Sequence, residues 1–353
     1  MISTRIVKVD PLVNNDDYLE AAAQIIKRGG LVIIPTETVY GIAANMLNIK
    51  AVERLYKIKQ RPPDKHFSLH ISQENKIEEF AANIPVCAYK LIDRFWPGPL
   101  TLVLKAKGTG TVGLRMPDNE IARRIIENAG VPVICPSANI SGSPAPISFQ
   151  AAIKDLDGLV DFAIDAGSTK LGLESSVIDL TVEPPEILRE GAIKKEEIER
   201  VSKEKVILFI CTGNSCRSVM AKAYLEKILK EQKRSDVLVL SAGIMLLGGG
   251  LATEPTREVL RREGLDVSAH RSQKVTQEML KKSDLILVME KMHEERILSL
   301  EPGVKNRLFL LKEFAKISAD DLNIADPIGK PIEFYEKTLE IIKEAVERIV
   351  NII

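Results

Sequence analysis

Cysteine is scarce here: four thiols in 353 residues, Cys87, Cys135, Cys211 and Cys216, too few for a disulfide-stapled secreted fold. With one of them in a setting that suggests reactivity, they imply a reducing, cytoplasmic compartment. Net charge is missing as well. The 49 Lys and Arg are matched by 49 Asp and Glu, so no overall field draws the chain to nucleic acid or to a membrane surface. No apolar run is long enough to span a bilayer, and the first residues lack a signal-peptide pattern, so no membrane partner is expected. Internal repeats and low-complexity tracts are absent. So is G-x-x-x-x-G-K-S/T, which excludes a P-loop NTPase. What remains is a chain long enough for two domains.

The most informative stretch is K-V-I-L-F-I-C-T-G-N-S-C-R-S at 205–218. Val206 to Ile210 is a short, β-branched apolar run that reads as a buried parallel strand. Beyond the loop, Val219, Met220, Tyr224, Leu225, Ile228 and Leu229 fall on one helical face. A strand, a tight loop and a helix start make an anion site, because backbone N–H groups point inward and the helix dipole favours negative charge. Cys211 at the mouth of that loop would have its thiol pKa lowered from about 8.5. Arg217 supplies a planar fork matched to two phosphate oxygens. The competing account is a plain core cysteine ending a buried strand. It does not explain Gly213 and Asn214 inside the loop together with Arg217 and Ser218 after it.

These residues carry a resemblance. From about 205 to 353 the chain resembles the low-molecular-weight protein phosphatases, with C-x-G-N-x-C-R-S after the first strand and Asp326-Pro327 near the C-terminus. S-A-G at 241–243 and G-L-D-V-S-A-H-R-S at 264–272 are similar too. The resemblance implies a Rossmann-like three-layer α/β/α fold with a parallel sheet. It makes Cys211 the nucleophile, Arg217 the phosphate clamp and Asp326 the general acid. Thr212, Gly213, Asn214, Ser215, Cys216 and Ser218 complete the phosphate loop, with Cys216 able to cap Cys211 as a disulfide. No cofactor and no metal is expected there. Ser215 stands where tyrosine-specific relatives carry Ile or Leu and phosphoarginine-specific ones carry Thr. The loop Asp326-Pro327-Ile328-Gly329 lacks an aromatic pair. Both features favour a phosphoarginine side chain in a protein substrate over phosphotyrosine, which stays as an alternative beside a phosphate sensor without turnover. No cysteine follows Cys216, so the relay for thiol-coupled arsenate reduction is missing.

The first half alternates helices and strands. Tyr18 to Lys27 reads as a helix, Leu31 to Ile34 as a strand and Ala51 to Lys59 as a second helix. Lys59, Arg61, Arg115 and Arg189 stand at element ends beside Pro, Gly and Ser, where they either gather around a polyanion or are ordinary surface charge. The charged stretch 194–204 is either a solvated bridge between halves or the last helix of the first one. It sets the expected domains at 1–200 and 201–353.

P-T-E-T-V-Y-G at 35–41, K-Q-R-P at 59–62, G-L-R-M-P-D at 113–118 and P-S-A-N-I-S-G at 136–142 then carry a second resemblance. Residues from about 10 to 193 are similar to the threonylcarbamoyl-AMP synthase family, called YrdC-like, whose K-x-R and S-x-N pairs appear as Lys59/Arg61 and Ser137/Asn139. The resemblance implies a twisted mixed sheet with helices, and a reaction joining L-threonine, bicarbonate and ATP with release of pyrophosphate. The product feeds tRNA modification, so tRNA-modification proteins and RNA are implied partners. It assigns Thr38, His70, Arg115, Ser137 and Ser175 to threonine, and Lys59, Arg61, Lys65, Thr111, Asn139 and Arg189 to ATP. Mg²⁺ is expected with ATP, bridging phosphates rather than protein carboxylates. An RNA-binding module without catalysis is the alternative. His70 has a plain structural account as well, and His270 and His293 read as structural or surface residues.

Overall fold

The computed structural model describes residues 3–9, 15–62, 66–245 and 249–353. The chain divides into two compact units, Met1–Ser202 and Lys203–Ile353.

The first unit is built on ten strands: β1 (Arg5–Lys8), β2 (Val32–Ile34), β3 (Gly41–Asn45), β4 (Leu69–His70), β5 (Leu100–Lys105), β6 (Thr111–Arg115), β7 (Val133–Ile134), β8 (Phe162–Asp165), β9 (Ser176–Asp179) and β10 (Glu186–Arg189). They form one sheet in the order β1-β8-β2-β3-β7-β4-β6-β5-β9-β10. It is mixed: β8 pairs in parallel with β1 and β2, β4 with β6 and β5 with β9, and the other neighbours are antiparallel. Strand β2 shows why such runs are apolar throughout. Ile33 faces one core cluster while Val32 and Ile34 face another, so neither side meets water.

The helix expected at Tyr18 to Lys27 runs Asp16–Lys27, and the one expected at Ala51 to Lys59 runs Ile49–Lys59. In the latter the Asn48 side chain accepts from the Ala51 N–H, and Gln60 stops the helix in the left-handed conformation at φ 48°. That stop leaves Lys59 as the last helical residue, where the dipole favours a cation. The charged stretch near 200 is the helix Lys195–Lys203. Ile198 and Val201 lie buried in the first unit's core, so it is that unit's last helix and not a solvated bridge.

The second unit holds four strands, β11 (Lys205–Cys211), β12 (Val237–Gly243), β13 (Leu285–Val288) and β14 (Leu308–Leu310). They lie in the order β12-β11-β13-β14, and every pair is parallel. Alternate residues of β11 serve two cores. Ile207, Phe209 and Cys211 pack with residues of the helices Arg217–Glu231 and Ile332–Ile349, while Leu208 and Ile210 pack with Leu280 and Ile297. Cys211 thus ends β11 at the carboxyl end of a parallel sheet, where open α/β sheets bind their ligands. Among the described residues no helix is long and apolar enough to cross a membrane.

Candidate active sites

In the first unit the polar residues converge on a cavity of about 430 Å³. Lys59, Arg61, His70, Thr111, Arg115, Ser137, Ser175 and Arg189, all singled out from the sequence, line it. Lys59 is buried, and its Nζ donates to Ser137 O (2.7 Å), Ser137 Oγ (3.3 Å), Asn139 O (2.6 Å) and Asn139 Oδ1 (2.9 Å). This ties the K-x-R and S-x-N segments into one knot, which Ser137 Oγ closes by donating to Asn139 Oδ1 (2.6 Å). Burial, helped by the nearby Arg61 charge, lowers the Lys59 pKa to about 8. Asn139, which is not among the residues lining the cavity, donates through Nδ2 to Ser143 O.

Register places His70 of β4 opposite Arg115 of β6. Arg115 Nη2 donates to Glu37 Oε1 (2.7 Å) and Thr38 Oγ1 (2.8 Å), and Nε to Gly98 O (3.2 Å). Its Nη1 has no bond among the described residues, so that nitrogen is left for a ligand. Thr38 is fully buried behind Arg115 and supports it. Thr36 Oγ1 donates to Val39 O (2.6 Å), so it accepts from Thr38 Oγ1 (2.9 Å), which commits the Thr38 proton. His70 is buried with no hydrogen-bond partner for Nδ1 among the described residues, and burial first, then the Arg115 charge, lowers its pKa to about 3, so the ring is neutral.

Arg189 braces Ser175 through Nε to the backbone O (2.9 Å) and Nη2 to Oγ (3.0 Å), and pairs with Glu174 (3.0 Å). Arg61 lies 5.2 Å from the Phe67 ring centroid and donates to His66 O. Lys65 lies outside the described residues. Cys135 also lines the cavity, and burial pushes its thiol up to about 12, so it is unreactive. A side chain at Gly41 would sit 2.4 Å from the Cys135 sulfur, so only glycine fits there.

The sequence reading missed Glu37. Its one visible signal is three polar residues in a row, Thr36-Glu37-Thr38, directly after an apolar strand.

In the second unit the loop 211–218 wraps the start of the helix Arg217–Glu231, with Cys216 as the capping residue. Cys211 is buried, and its Sγ meets Ser218 Oγ at 3.0 Å. Asn214 adopts φ 51° and anchors the loop. Its Nδ2 donates to Ser218 Oγ and Ser241 Oγ (3.0 Å each), and its Oδ1 accepts from the Gln273 N–H (3.0 Å). The Asn214 carbonyl accepts from Ser272 Oγ (2.8 Å) and meets His270 Nε2 at 2.7 Å. A side chain at Gly243 would come within 2.7 Å of Thr212 O and 2.9 Å of Asn214 N, so the S-A-G segment needs its glycine to let the loop lie on β12.

Arg217 is almost fully buried. Nη1 donates to Glu290 Oε2 (2.5 Å) and Ile324 O (2.8 Å), and Nη2 to Thr212 Oγ1 (3.1 Å) and Asp326 Oδ2 (2.5 Å). Its Nε is buried and has no partner among the described residues. The expected nucleophile loop, clamp and acid are therefore brought together, and an oxyanion would satisfy the free Nε–H. Cys216 is a free, buried thiol 3.3 Å from Thr253 Oγ1, and Ser215 Oγ lies 3.7 Å from the Cys216 sulfur. His293, read from sequence as structural or surface, is wholly buried and meets Thr212 Oγ1 at 3.0 Å. Glu290 was missed altogether, since a lone carboxylate after a strand has no signature.

Comparison with known proteins agrees with this division. The Sua5_yciO_yrdC family model, described as telomere recombination, matches residues 24–191, and the low molecular weight phosphotyrosine protein phosphatase model matches 206–353. A threonylcarbamoyl-AMP synthase of Pyrococcus abyssi is 46% identical over 192 residues, covering 52% of this chain and 56% of that protein. The chain thus spans little more than half the length of that relative. The crystal structure of P. abyssi Sua5 complexed with L-threonine is 29% identical with a TM-score of 0.54, covering 87% of this chain and 99% of that one. A probable low molecular weight protein-tyrosine-phosphatase, EpsP, of Ralstonia nicotianae is 38% identical over 143 residues, covering 40% of this chain and 92% of that protein. The chain is therefore a fusion that belongs to the Sua5/YrdC family in its first unit and to the low molecular weight protein phosphatase family in its second.

Proposed function

We propose that the first unit makes threonylcarbamoyl-AMP and the second removes phosphate from protein side chains. The observation that carries the first reading is the knot of Lys59, Ser137 and Asn139 beside the open Nη1 of Arg115, one cavity with a cation for phosphates and a fork for a carboxylate. The P. abyssi protein solved with L-threonine supports it. Arg115 holds the threonine carboxylate, a job Lys would do poorly. The threonine nitrogen bonds to the bicarbonate carbon with loss of water, and the new carboxylate oxygen attacks the α-phosphorus as pyrophosphate leaves. Lys59 and Arg61 stabilise the charge that builds up on the carbamate and phosphates. Thr111, Asn139 and Arg189 complete the nucleotide side, and His70, Ser137 and Ser175 the amino acid side. Mg²⁺ is proposed to arrive with ATP, and no protein ligand is assigned to it. Pyrophosphate release that needs both threonine and bicarbonate is the test. Absence of pyrophosphate release would leave the RNA-binding alternative.

The observation that carries the second reading is Arg217 held between the nucleophile loop and Asp326. Cys211 attacks phosphorus, forming a sulfur–phosphorus bond, while Asp326 gives the leaving atom its proton. Water then displaces the cysteine, with Asp326 taking a proton back. Loop N–H groups and Arg217 stabilise the equatorial oxygens. Phosphoarginine is the favoured substrate, because Ser215 offers a hydroxyl to a guanidinium and the acid loop offers no aromatic slot. The tyrosine-phosphatase name of the Ralstonia relative favours the other substrate. kcat/KM on phosphoarginine and phosphotyrosine peptides decides between them, and a preference for phosphotyrosine rejects the arginine assignment. The proposed partners are ATP, L-threonine, bicarbonate, a phosphorylated protein and the tRNA-modification proteins that consume the adenylate.

A further inference from the structure

We propose that the Thr212 hydroxyl, aimed by His293, is a further donor to the phosphoryl oxygens of the ligand, beside Arg217. The inference rests on the phosphatase reading of the second unit and names a contact that reading does not require.

Proton positions carry the argument. The Glu290 N–H donates to His293 Nδ1 (3.1 Å), so Nδ1 bears no hydrogen. The ring is neutral, because burial first and then the Arg217 charge bring its pKa down to about 4. Its single hydrogen therefore sits on Nε2 and points at Thr212 Oγ1, 3.0 Å away. Arg217 Nη2 has only hydrogens to give, and it too points at Thr212 Oγ1 (3.1 Å). Thr212 thus accepts twice and keeps its own hydrogen. Among the described residues that hydrogen has no acceptor. The same Nη2 reaches Asp326 Oδ2, so the hydroxyl stands on the guanidinium edge shared with the acid, which is where the phosphatase reading puts the phosphoryl group. The Nε of the same guanidinium has no partner among the described residues and is a second side-chain donor left over. An incoming oxyanion would then meet two side-chain donors, Nε–H and the Thr212 O–H, along with the loop amides. His293 acts only through Thr212 and is a positioning residue.

The test uses the intact chain with p-nitrophenyl phosphate as substrate and orthovanadate and inorganic phosphate as inhibitors. Thr212→Val keeps the shape and removes the hydroxyl. It should raise both inhibition constants about ten- to hundredfold, the worth of one hydrogen bond to a charged group, and Thr212→Ser should restore them. His293→Leu should shift the constants as Thr212→Val does, His293→Gln should recover part of the loss, and the double variant should be no worse than either single. Wild-type constants in Thr212→Val overturn the contact. Losses that simply add in the double variant overturn the coupling through His293. A wild-type protein that neither hydrolyses the ester nor binds vanadate rejects the phosphatase reading, a different failure from one confined to the variants.

Discussion

Arg115 and Arg217 are both nearly inaccessible, yet the two units hold them in opposite ways. Arg115 pairs with one carboxylate, Glu37, whose side chain is only 2% exposed, and two further bonds to Thr38 and Gly98 immobilise the group. Arg217 pairs with two carboxylates that reach solvent, Glu290 at 25% and Asp326 at 31%. A fully buried ion pair cannot exchange partners without leaving a bare charge in a low dielectric. A half-exposed one can, because water receives the released carboxylate at little cost. The first arrangement suits a rigid receptor for a small carboxylate. The second suits the proposed clamp, whose acid partner would turn from guanidinium to leaving group during turnover.

The sharpest way to break this contrast is to remove the carboxylates in turn. Glu37→Ala strands the Arg115 charge and should destabilise the first unit by about 3–5 kcal/mol, read as a lower denaturant midpoint, with loss of threonine-dependent pyrophosphate release. A near-normal midpoint would show that Arg115 is not locked. Glu290→Gln, in contrast, should cost no more than about 1 kcal/mol of stability, since its partner keeps Asp326, Thr212 and Ile324. Next in size, Arg217→Lys should lower kcat/KM for a phosphomonoester about a hundred- to a thousandfold while pyrophosphate release is untouched, because an ammonium cannot serve the fork geometry. Equal damage to both activities would mean that the two sites are not independent.

Titration gives smaller effects that sharpen the same comparison. Lys59, lowered to about 8, should give pyrophosphate release an alkaline limb with a midpoint near that value, as the ammonium loses its proton. On the acid side, His70 and His293 are held neutral, with pKa values near 3 and 4. Their folded values lie below the ordinary value of about 6.5, so the unfolded chain binds more protons between those limits. The stability they leave intact above about pH 6.5 should decline as pH falls through that window in both units. A flat stability profile from pH 6.5 to 4 would contradict the burial of both rings.

Much of this was legible in the residues. The apolar run Val206 to Ile210 announced a strand buried on both faces, and it is one, extended through Cys211. The loop motif with Arg217 and Asp326 named partners 109 residues apart that stand 2.5 Å apart. Lys59 and Arg61 could be singled out, and so could the Ser137 and Asn139 side chains, but the two backbone carbonyls that also accept from Lys59 could not, because carbonyls carry no sequence identity. Glu37, Glu290 and His293 stayed hidden for a related reason. Each is an ordinary polar residue whose meaning comes from what the sheet lays beside it.

Local chemistry alone determined where strands, loops and helix starts occur and which residue types could do phosphate and carboxylate chemistry, since alternation, capping and loop motifs act over a few neighbours. Tertiary structure alone decided which cations are locked and which are free to exchange, and where each shared proton rests. Those properties depend on burial and on partners that only the folded sheet brings within 3 Å, and no short-range pattern encodes them.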